Sequence, residues 1–218
     1  GKMKKYCDKN NIKYKIIPKF HSPRATLPSY LYTILKVLHK TLKIKEDDIH
    51  ESIKEIKKLS EKINSSNLKN KNTALDLANW IKTIPVIYYP WGLQSVAIRF
   101  KNSLHENSKI HVMIDDVIES CHNGIVSWEN KSTLQPILIE GENDYIKTKE
   151  RWVIIKEIFQ EKNIPFYEIK SNNGNILSKL TQLIYMLDYS SIYLAILNNI
   201  DPTPVLAIDL IKNRLEKL

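Results

Sequence analysis

Short apolar segments alternate with longer segments of helical periodicity from residue 85 to residue 197, and this alternation constrains the fold more than any other feature of the sequence. Apolar segments of this length are typical of strands buried on both faces, and the stretches between them are long enough for helices. The pattern predicts an α/β fold with a parallel sheet covered by helices on both faces. The predicted strands are 85–89, 111–114, 136–139 and 165–169, and the predicted helices are 93–104, 147–162 and 176–197, with a loop over 115–133.

The flanking sequence predicts further helices and one further strand. Lysines alternate with apolar residues over 12–17, which predicts a strand, and amphipathic helices are predicted over 22–42 and 46–64. The second of these helices carries an apolar stripe that needs a partner surface, formed by Ile49, Ile53, Ile56, Leu59 and Ile63. A polar linker (64–72), a helix (72–82) and a final helix (202–217) with Asp201 as its N-cap and Pro202 at its first position complete the prediction.

The net charge of +9 is confined to the first third of the chain. Residues 1–71 hold 18 Lys and Arg against 7 Asp and Glu, whereas residues 72–218 hold 15 against 17. Many of these lysines share a predicted helix with acids three and four residues away, which is typical of a solvated helix face. We therefore expect no nucleic-acid partner, and binding of nucleic acid by residues 1–71 is the weaker alternative.

Cysteine usage and apolar runs indicate the compartment. Cys7 and Cys121 are far apart and neither lies in a CxxC motif, so we expect two reduced thiols. Residues 1–8 do not have the apolar core of a signal peptide, and we expect no membrane span. These features predict a cytoplasmic protein without a membrane partner.

Two segments carry the residue types needed for proton-transfer chemistry. The first is Arg99-Phe-Lys-Asn-Ser-Leu-His-Glu-Asn-Ser-Lys109, and the second is Cys121-His-Asn-Gly-Ile-Val-Ser-Trp128. Each places one acid or histidine among small polar residues, just past a predicted helix or in a predicted loop. Taken alone, the residue types favour a surface role for Glu106, paired with Lys101 or Lys109, and a hydrogen-bonded structural role for His122.

Together with Ser22-Pro23-Arg24 and Asp201-Pro202-Thr203-Pro204-Val205, these segments resemble the bifunctional phosphoglucose/phosphomannose isomerase family, whose fold is two SIS (sugar isomerase) domains. The resemblance implies that residues 72–218 form a flavodoxin-like C-terminal SIS domain with a final helix. It implies that residues 1–71 are a strand-helix-helix remnant of the N-terminal SIS domain plus a connecting helix. The implied reaction interconverts glucose 6-phosphate or mannose 6-phosphate with fructose 6-phosphate through an enediol, without metal or cofactor, in a homodimer with a shared active site.

The same resemblance assigns roles to five residues. Glu106 matches the base that moves the proton, and His122 matches a histidine that assists ring opening in a neighbouring subunit's site. Arg24 matches an arginine that stabilises the enediolate. Thr203 matches a substrate-binding position, and Lys212 matches the lysine that polarises the ring oxygen, with Lys217 as a competing assignment.

The sequence departs from the family pattern in two places. Gly124 stands where the pattern has a glutamate, and no Ser/Gly-rich phosphate loop is found. We therefore expect little activity from this chain alone, whether it is part of an isomerase or an isomerase-like protein that has lost its phosphate site. A non-catalytic SIS module that binds a sugar phosphate or a partner protein is the alternative function.

Overall fold

The computed structural model describes residues 1–18, 22 and 24–217. The chain folds into two compact units, the first comprising residues 1–46 and the second residues 47–218. Each unit is described by itself.

The described residues of the first unit form helices α1 (Lys2–Lys9) and α2 (Leu27–Leu42), with a 3-10 turn at Arg24–Thr26 leading into α2. The predicted helix at 22–42 is confirmed over most of its length, and Pro28 lies in its first turn, where its missing N–H costs nothing. Pro23 lies outside the described residues. The predicted strand at 12–17 is wrong: these residues have no regular structure, because no strand of the described residues pairs with them.

The second unit follows the predicted alternation closely. Its helices are α3 (Glu46–Ile63, which begins one residue before the unit), α4 (Thr73–Trp80), α5 (Gln94–Ser103), α6 (Val117–Ser120), α7 (Ile146–Glu161), α8 (Ile176–Leu197) and α9 (Leu206–Leu215). Its strands are β1 (Pro85–Tyr89), β2 (Met113–Asp116), β3 (Gln135–Glu140) and β4 (Tyr167–Lys170). The predicted loop at 115–133 instead contains α6 and a 3-10 turn at Gly124–Glu129.

The four strands form one parallel sheet in the order β2-β1-β3-β4. The α/β class with a parallel sheet is therefore confirmed. Strand β2 lies two residues later than predicted, because Val86 of β1 pairs with Met113 and Tyr89 pairs with Asp116. His111 and Val112 consequently precede the ladder, at the amino edge of the sheet.

Helices cover both faces of the sheet. Along β1, Ile87 and Tyr89 belong to one core cluster and Val86 and Tyr88 to another, because successive side chains of a strand point to opposite faces. The first cluster includes buried residues of α4, α5 and α8, and the second includes those of α6 and α7.

The apolar stripe of α3 is only partly covered. Ile63 at its end is fully buried, whereas Ile53 is 47% exposed. The hydroxyl of Tyr193 in α8 donates to the carbonyl oxygen of Ile63 at 2.6 Å, which fixes the end of α3 on α8.

Helix α8 is long and apolar enough to cross a membrane by length and composition, a feature that the sequence-based expectation of no membrane span did not anticipate. Half of its most apolar window is buried inside the protein. It packs against α4 and α5 as a core helix does, so it is weak evidence for a membrane span.

The last helix begins later than predicted. Asp201 does not cap it, because the Asp201 carboxylate accepts from the Thr203 backbone N–H at 2.8 Å within a turn, and α9 begins at Leu206. Asp201 and Thr203 each precede a proline, and a residue before proline is disfavoured in the α conformation. Pro202 therefore lies in the loop rather than in the first helical turn. No residue of α9 is buried, and Leu206 is 77% exposed.

Candidate functional site

Glu106 lies on a π-helical turn, Leu104–Ser108, that continues α5 directly. Lys109 ends this turn in the left-handed conformation, with φ 58°, and its backbone N–H donates to the carbonyl oxygen of Leu104. Single π turns within helices are frequent at functional sites. The sequence predicted only that Glu106 follows a helix, because a π turn has no recognisable pattern of its own.

Buried hydrogen bonds fix this turn on α8. The side-chain amide of Asn107 donates to the hydroxyl of Ser191 at 2.8 Å, and the hydroxyl of Ser108 donates to the carbonyl oxygen of Ser191 at 2.6 Å. Asn107, Ser108 and Ser191 are all buried, so these bonds are shielded from water. The two residues that follow Glu106 therefore hold its backbone in one place.

An ion pair strengthens the same attachment one turn earlier. Asp188 of α8 accepts from Nε and Nη2 of Arg99 at 3.0 and 2.8 Å, and from the hydroxyl of Ser103 at 2.5 Å. Both charged side chains are about one fifth exposed. The pair thus joins α5 to α8 with two-point geometry, which is stronger than a single exposed contact.

Lys109 connects the Glu106 turn with the loop before α9. Its ammonium group donates to the carbonyl oxygen of Glu106 and, at 2.8 Å, to that of Pro204. The structure therefore brings the loop that contains Thr203 next to the turn that contains Glu106. Lys212 and Lys217 are exposed, and neither is buried against the sheet.

His105 precedes Glu106 and has an altered proton affinity. Partial burial lowers its pKa, and the positive charge of Lys101 and the proximity of His111 lower it further. The neutral form of His105 is thus favoured in the folded protein.

His122 lies in a turn that follows α6 and is exposed. Asp116 at the end of β2 caps α6 by accepting from the backbone N–H groups of Ile118 and Glu119, at 2.8 and 3.3 Å. Beyond His122, the indole N–H of Trp128 donates to the Tyr88 hydroxyl at 2.7 Å, in a buried position. The loop is fixed at both ends while the histidine between them faces outward.

Gly124 lies close to two polar side chains of this region. A Cβ atom at this position would lie 2.8 Å from Oδ2 of Asp115 and 3.2 Å from Oγ of Ser120. Burial raises the pKa of the Asp115 carboxyl, and the nearby charges of Asp116 and Glu119 act in the same direction, against a backbone hydrogen bond from Asp116. The Asp115 carboxylate thus occupies the position from which a longer side chain at 124 would start.

The two motifs lie at opposite edges of the sheet. Glu106 follows a helix that returns from the carboxyl edge, so it precedes β2 at the amino edge, whereas His122 follows β2 at the carboxyl edge. One chain therefore does not bring Glu106 and His122 together. Arg24 lies in the first unit, at the start of the 3-10 turn.

The residues that hold the Glu106 turn were not identified from the sequence, namely Asn107, Ser108, Asp188 and Ser191. A signal for them exists in α8, where Asp188, Ser190 and Ser191 interrupt an otherwise apolar helix. Buried polar residues in such a helix indicate hydrogen-bonded partners. Nothing in the sequence indicates which partners these are.

Solved structures with similar folds support the assignment of the architecture. A hypothetical protein from Thermus thermophilus superposes with a TM-score of 0.76 at 14% identity, covering 100% of this chain and 60% of that one. A glucose-6-phosphate isomerase like protein from the same organism superposes with a TM-score of 0.62 at 18% identity, covering 76% of this chain and 57% of that one. At these identities the likeness shows the fold alone.

Sequence relatives identify the family as well as the fold. Residues 70–215 match the family model of the bacterial phospho-glucose isomerase C-terminal SIS domain. A bifunctional phosphoglucose/phosphomannose isomerase from Caldicellulosiruptor bescii is 32% identical over 100% of this chain and 67% of its own length. One from Aquifex aeolicus is 27% identical over 100% of this chain and 66% of its own length. The chain spans about two thirds of the length of these relatives, and it belongs to the bifunctional phosphoglucose/phosphomannose isomerase family.

Proposed function

We propose that this protein takes part in aldose–ketose isomerisation of a hexose 6-phosphate, converting glucose 6-phosphate or mannose 6-phosphate to fructose 6-phosphate. The observation that carries this proposal is the Glu106 turn. The family motif folds here into a π-helical turn whose backbone is held on α8 by buried bonds of Asn107 and Ser108. A carboxylate base must be fixed close to the two carbons between which it moves a proton, and this turn can provide that.

The family membership supports the following roles. Glu106 removes the proton from the carbon beside the carbonyl and returns it to the neighbouring carbon. His122 and Lys212 assist ring opening, Arg24 stabilises the enediolate and Thr203 binds substrate. The hydrogen bonds of Lys109 to the Glu106 turn and to the Pro204 carbonyl support the placement of the Thr203 loop at the same site.

The positions of Glu106 and His122 support a shared site in a homodimer. The two residues lie at opposite edges of one sheet, so they can act on one substrate only if different subunits supply them. His122 is exposed at the end of a loop that is otherwise fixed, which suits a side chain presented to a neighbour. We further propose that residues 1–71 and 72–218 correspond to the N-terminal and C-terminal SIS parts of the family, and that the protein acts in the cytoplasm.

Glu106→Gln tests the proposal. The chain would be incubated with fructose 6-phosphate in deuterated water, alone and together with the N-terminal third of a bifunctional relative, and deuterium at C2 of the product would be measured by NMR. Proton transfer through an enediol exchanges this position with solvent, so we expect deuterium in the product and none with Glu106→Gln. Glu161→Gln, at the end of α7 and exposed, is the matched control and should exchange like the unchanged protein.

Equal exchange by the Glu106→Gln and Glu161→Gln variants would show that Glu106 is not the base. Binding of fructose 6-phosphate without any exchange, in the chain alone and in the complemented mixture, would favour the second candidate, a non-catalytic SIS module. That candidate is supported by the glycine at 124, where the family pattern has a glutamate.

A further inference from the structure

A cleft of about 490 Å³ opens at the amino edge of the sheet, next to the Glu106 turn. It is formed by the residues that precede β1, β2 and β3, together with the end of α8. Its volume is in the range of sites that bind small molecules. The lining residues are Ile81, Lys82, Thr83, Ile84, Lys109, Ile110, His111, Thr133, Leu194 and Asn198.

Four polar side chains of this cleft are available to a ligand. Across residues 1–18, 22 and 24–217, no hydrogen bond or ion pair is made by the side chains of Lys82, His111, Thr133 and Asn198. Two other polar groups are already used: the Thr83 hydroxyl donates to the carbonyl oxygen of Thr133, and Lys109 donates to two carbonyl oxygens. Hydrogen bonds therefore hold part of the cleft in place, and four polar side chains are left to contact a ligand.

The charge of the cleft selects for anions. Two lysines and one histidine line it, and none of its lining residues is an aspartate or glutamate. Cationic groups that converge in a concave surface raise the local concentration of anions. Backbone atoms reinforce the rigidity of this wall, because the N–H groups of Lys82 and Thr83 both donate to the side-chain oxygen of Gln135, at 2.6 and 2.8 Å.

The other wall is apolar. Ile84, which is 40% exposed, and the half-buried Ile110 form its accessible surface; Ile81 and Leu194 also line the cleft but are buried. An inorganic ion alone would leave this surface uncovered. The combination fits a small molecule that carries an anionic group on a compact carbon body.

We infer that this cleft binds a phosphate ester of a sugar, with the phosphate contacting Lys82, His111 and Thr133 and the carbon body lying on Ile84 and Ile110. The sugar identity rests on the proposed function, whereas the phosphate contact does not. This assigns a phosphate site within residues 72–218, on the same edge of the sheet as Glu106. Lys109 joins the two, because it lines the cleft and also holds the carbonyl oxygen of Glu106.

The test uses the isotopically labelled full chain and residue-resolved NMR at constant ionic strength. Inorganic phosphate is titrated first, then fructose 6-phosphate and then fructose. We expect saturable shifts at residues 82–84, 110–111, 133 and 198, with a dissociation constant of about 1 mM for the phosphate ester and weaker binding of fructose. Lys82→Met should weaken binding of fructose 6-phosphate about tenfold.

Lys131→Met is the matched control, because Lys131 is exposed on the loop before β3 and does not line the cleft. Shifts confined to the His122 edge, the absence of saturation, or equal affinities of the Lys82→Met and Lys131→Met proteins would each overturn the inference. The binding residues are mapped by NMR on the unchanged protein, so a folding defect of a variant does not decide the result.

The outcome is separable from that of the proposed function. Glu106→Gln should bind inorganic phosphate as the unchanged protein does. Phosphate binding without deuterium exchange would remove the isomerase proposal and keep this site, whereas exchange without phosphate binding at these residues would remove this site and keep the isomerase proposal.

Discussion

The Glu106 turn and the His122 loop belong to the same sheet and are built in different ways. Buried bonds to Ser191 and the Arg99–Asp188 pair hold the Glu106 turn on a core helix. The His122 loop is attached to the edge of the sheet by Asp116 and by Trp128, and its histidine is exposed.

The difference matches the two roles that we propose for this domain, one for Glu106 and one for His122. A base, the role proposed for Glu106, must be fixed relative to its substrate, and the attachment of Glu106 is polar, directional and shielded from water. A residue that serves a neighbouring subunit, the role proposed for His122, must instead project from its own domain, and here only the residues that flank His122 are fixed. Four substitutions break or sharpen this contrast, and they are given from the largest expected effect to the smallest.

Asp188→Ala should destabilise the protein by roughly 2 kcal/mol. The substitution leaves the partly buried guanidinium of Arg99 without this carboxylate and removes the acceptor for the Ser103 hydroxyl, and partial exposure reduces the cost below that of a fully buried pair. Urea unfolding measures the loss. Asp188→Asn keeps an acceptor and should lose less. An equal loss in both variants would show that the negative charge of Asp188 accounts for the whole effect, whereas no loss in Asp188→Asn would show that this charge contributes nothing.

Trp128→Phe should cost about 1.5 kcal/mol, because it removes buried ring atoms and the N–H donor to Tyr88. Hydrogen exchange should accelerate over 121–129 and stay unchanged over 104–109. Acceleration at both segments would mean that the two regions open together, and the contrast between them would fail.

Gly124→Ala should cost about 0.5–1 kcal/mol, because the new Cβ displaces the Asp115 carboxylate. Adding Asp115→Ala should recover part of this loss, which a double-mutant cycle would measure. Gly92→Ala provides the comparison, since Gly92 has φ +91° and open space around it, so its cost comes from the backbone and Asp115→Ala should not relieve it.

His105→Gln should produce the smallest effect, a change in pH dependence. The folded state lowers the pKa of His105 below its ordinary value of 6.5, so the unfolded state binds the proton more readily. Stability from this residue is complete above pH 6.5 and is lost as the pH falls through the lower folded pKa. The variant should therefore lose less stability on acidification from pH 6.5, as measured by urea midpoints. Lys101→Met should reproduce part of this change, and an unchanged slope in both variants would contradict it.

Periodicity in the sequence is sufficient to predict most helices and strands of the second unit. The strands at 85–89 and 136–139 and the helices at 147–162 and 176–197 were predicted to within about two residues, because a parallel sheet demands continuous apolar segments. The strand predicted at 12–17 is absent because strand formation depends on a neighbour, which a local pattern does not contain. Helix α9 begins later than predicted because the prolines at 202 and 204 disfavour the α conformation of the residues before them. The prediction considered Asp201 as an N-cap but not this effect of the two prolines.

The motif sequences by themselves determined the family, the candidate base at 106 and the candidate histidine at 122. Only the tertiary structure decided that these two residues lie at opposite edges of the sheet, that Glu106 is carried by a π turn held on Ser191, and that Asp115 fills the space beside Gly124. The physical reason is that a motif records residue types along the chain, whereas sites depend on side chains that are distant in sequence. Here 84 residues separate Asn107 from Ser191, whose hydrogen bond holds the Glu106 turn.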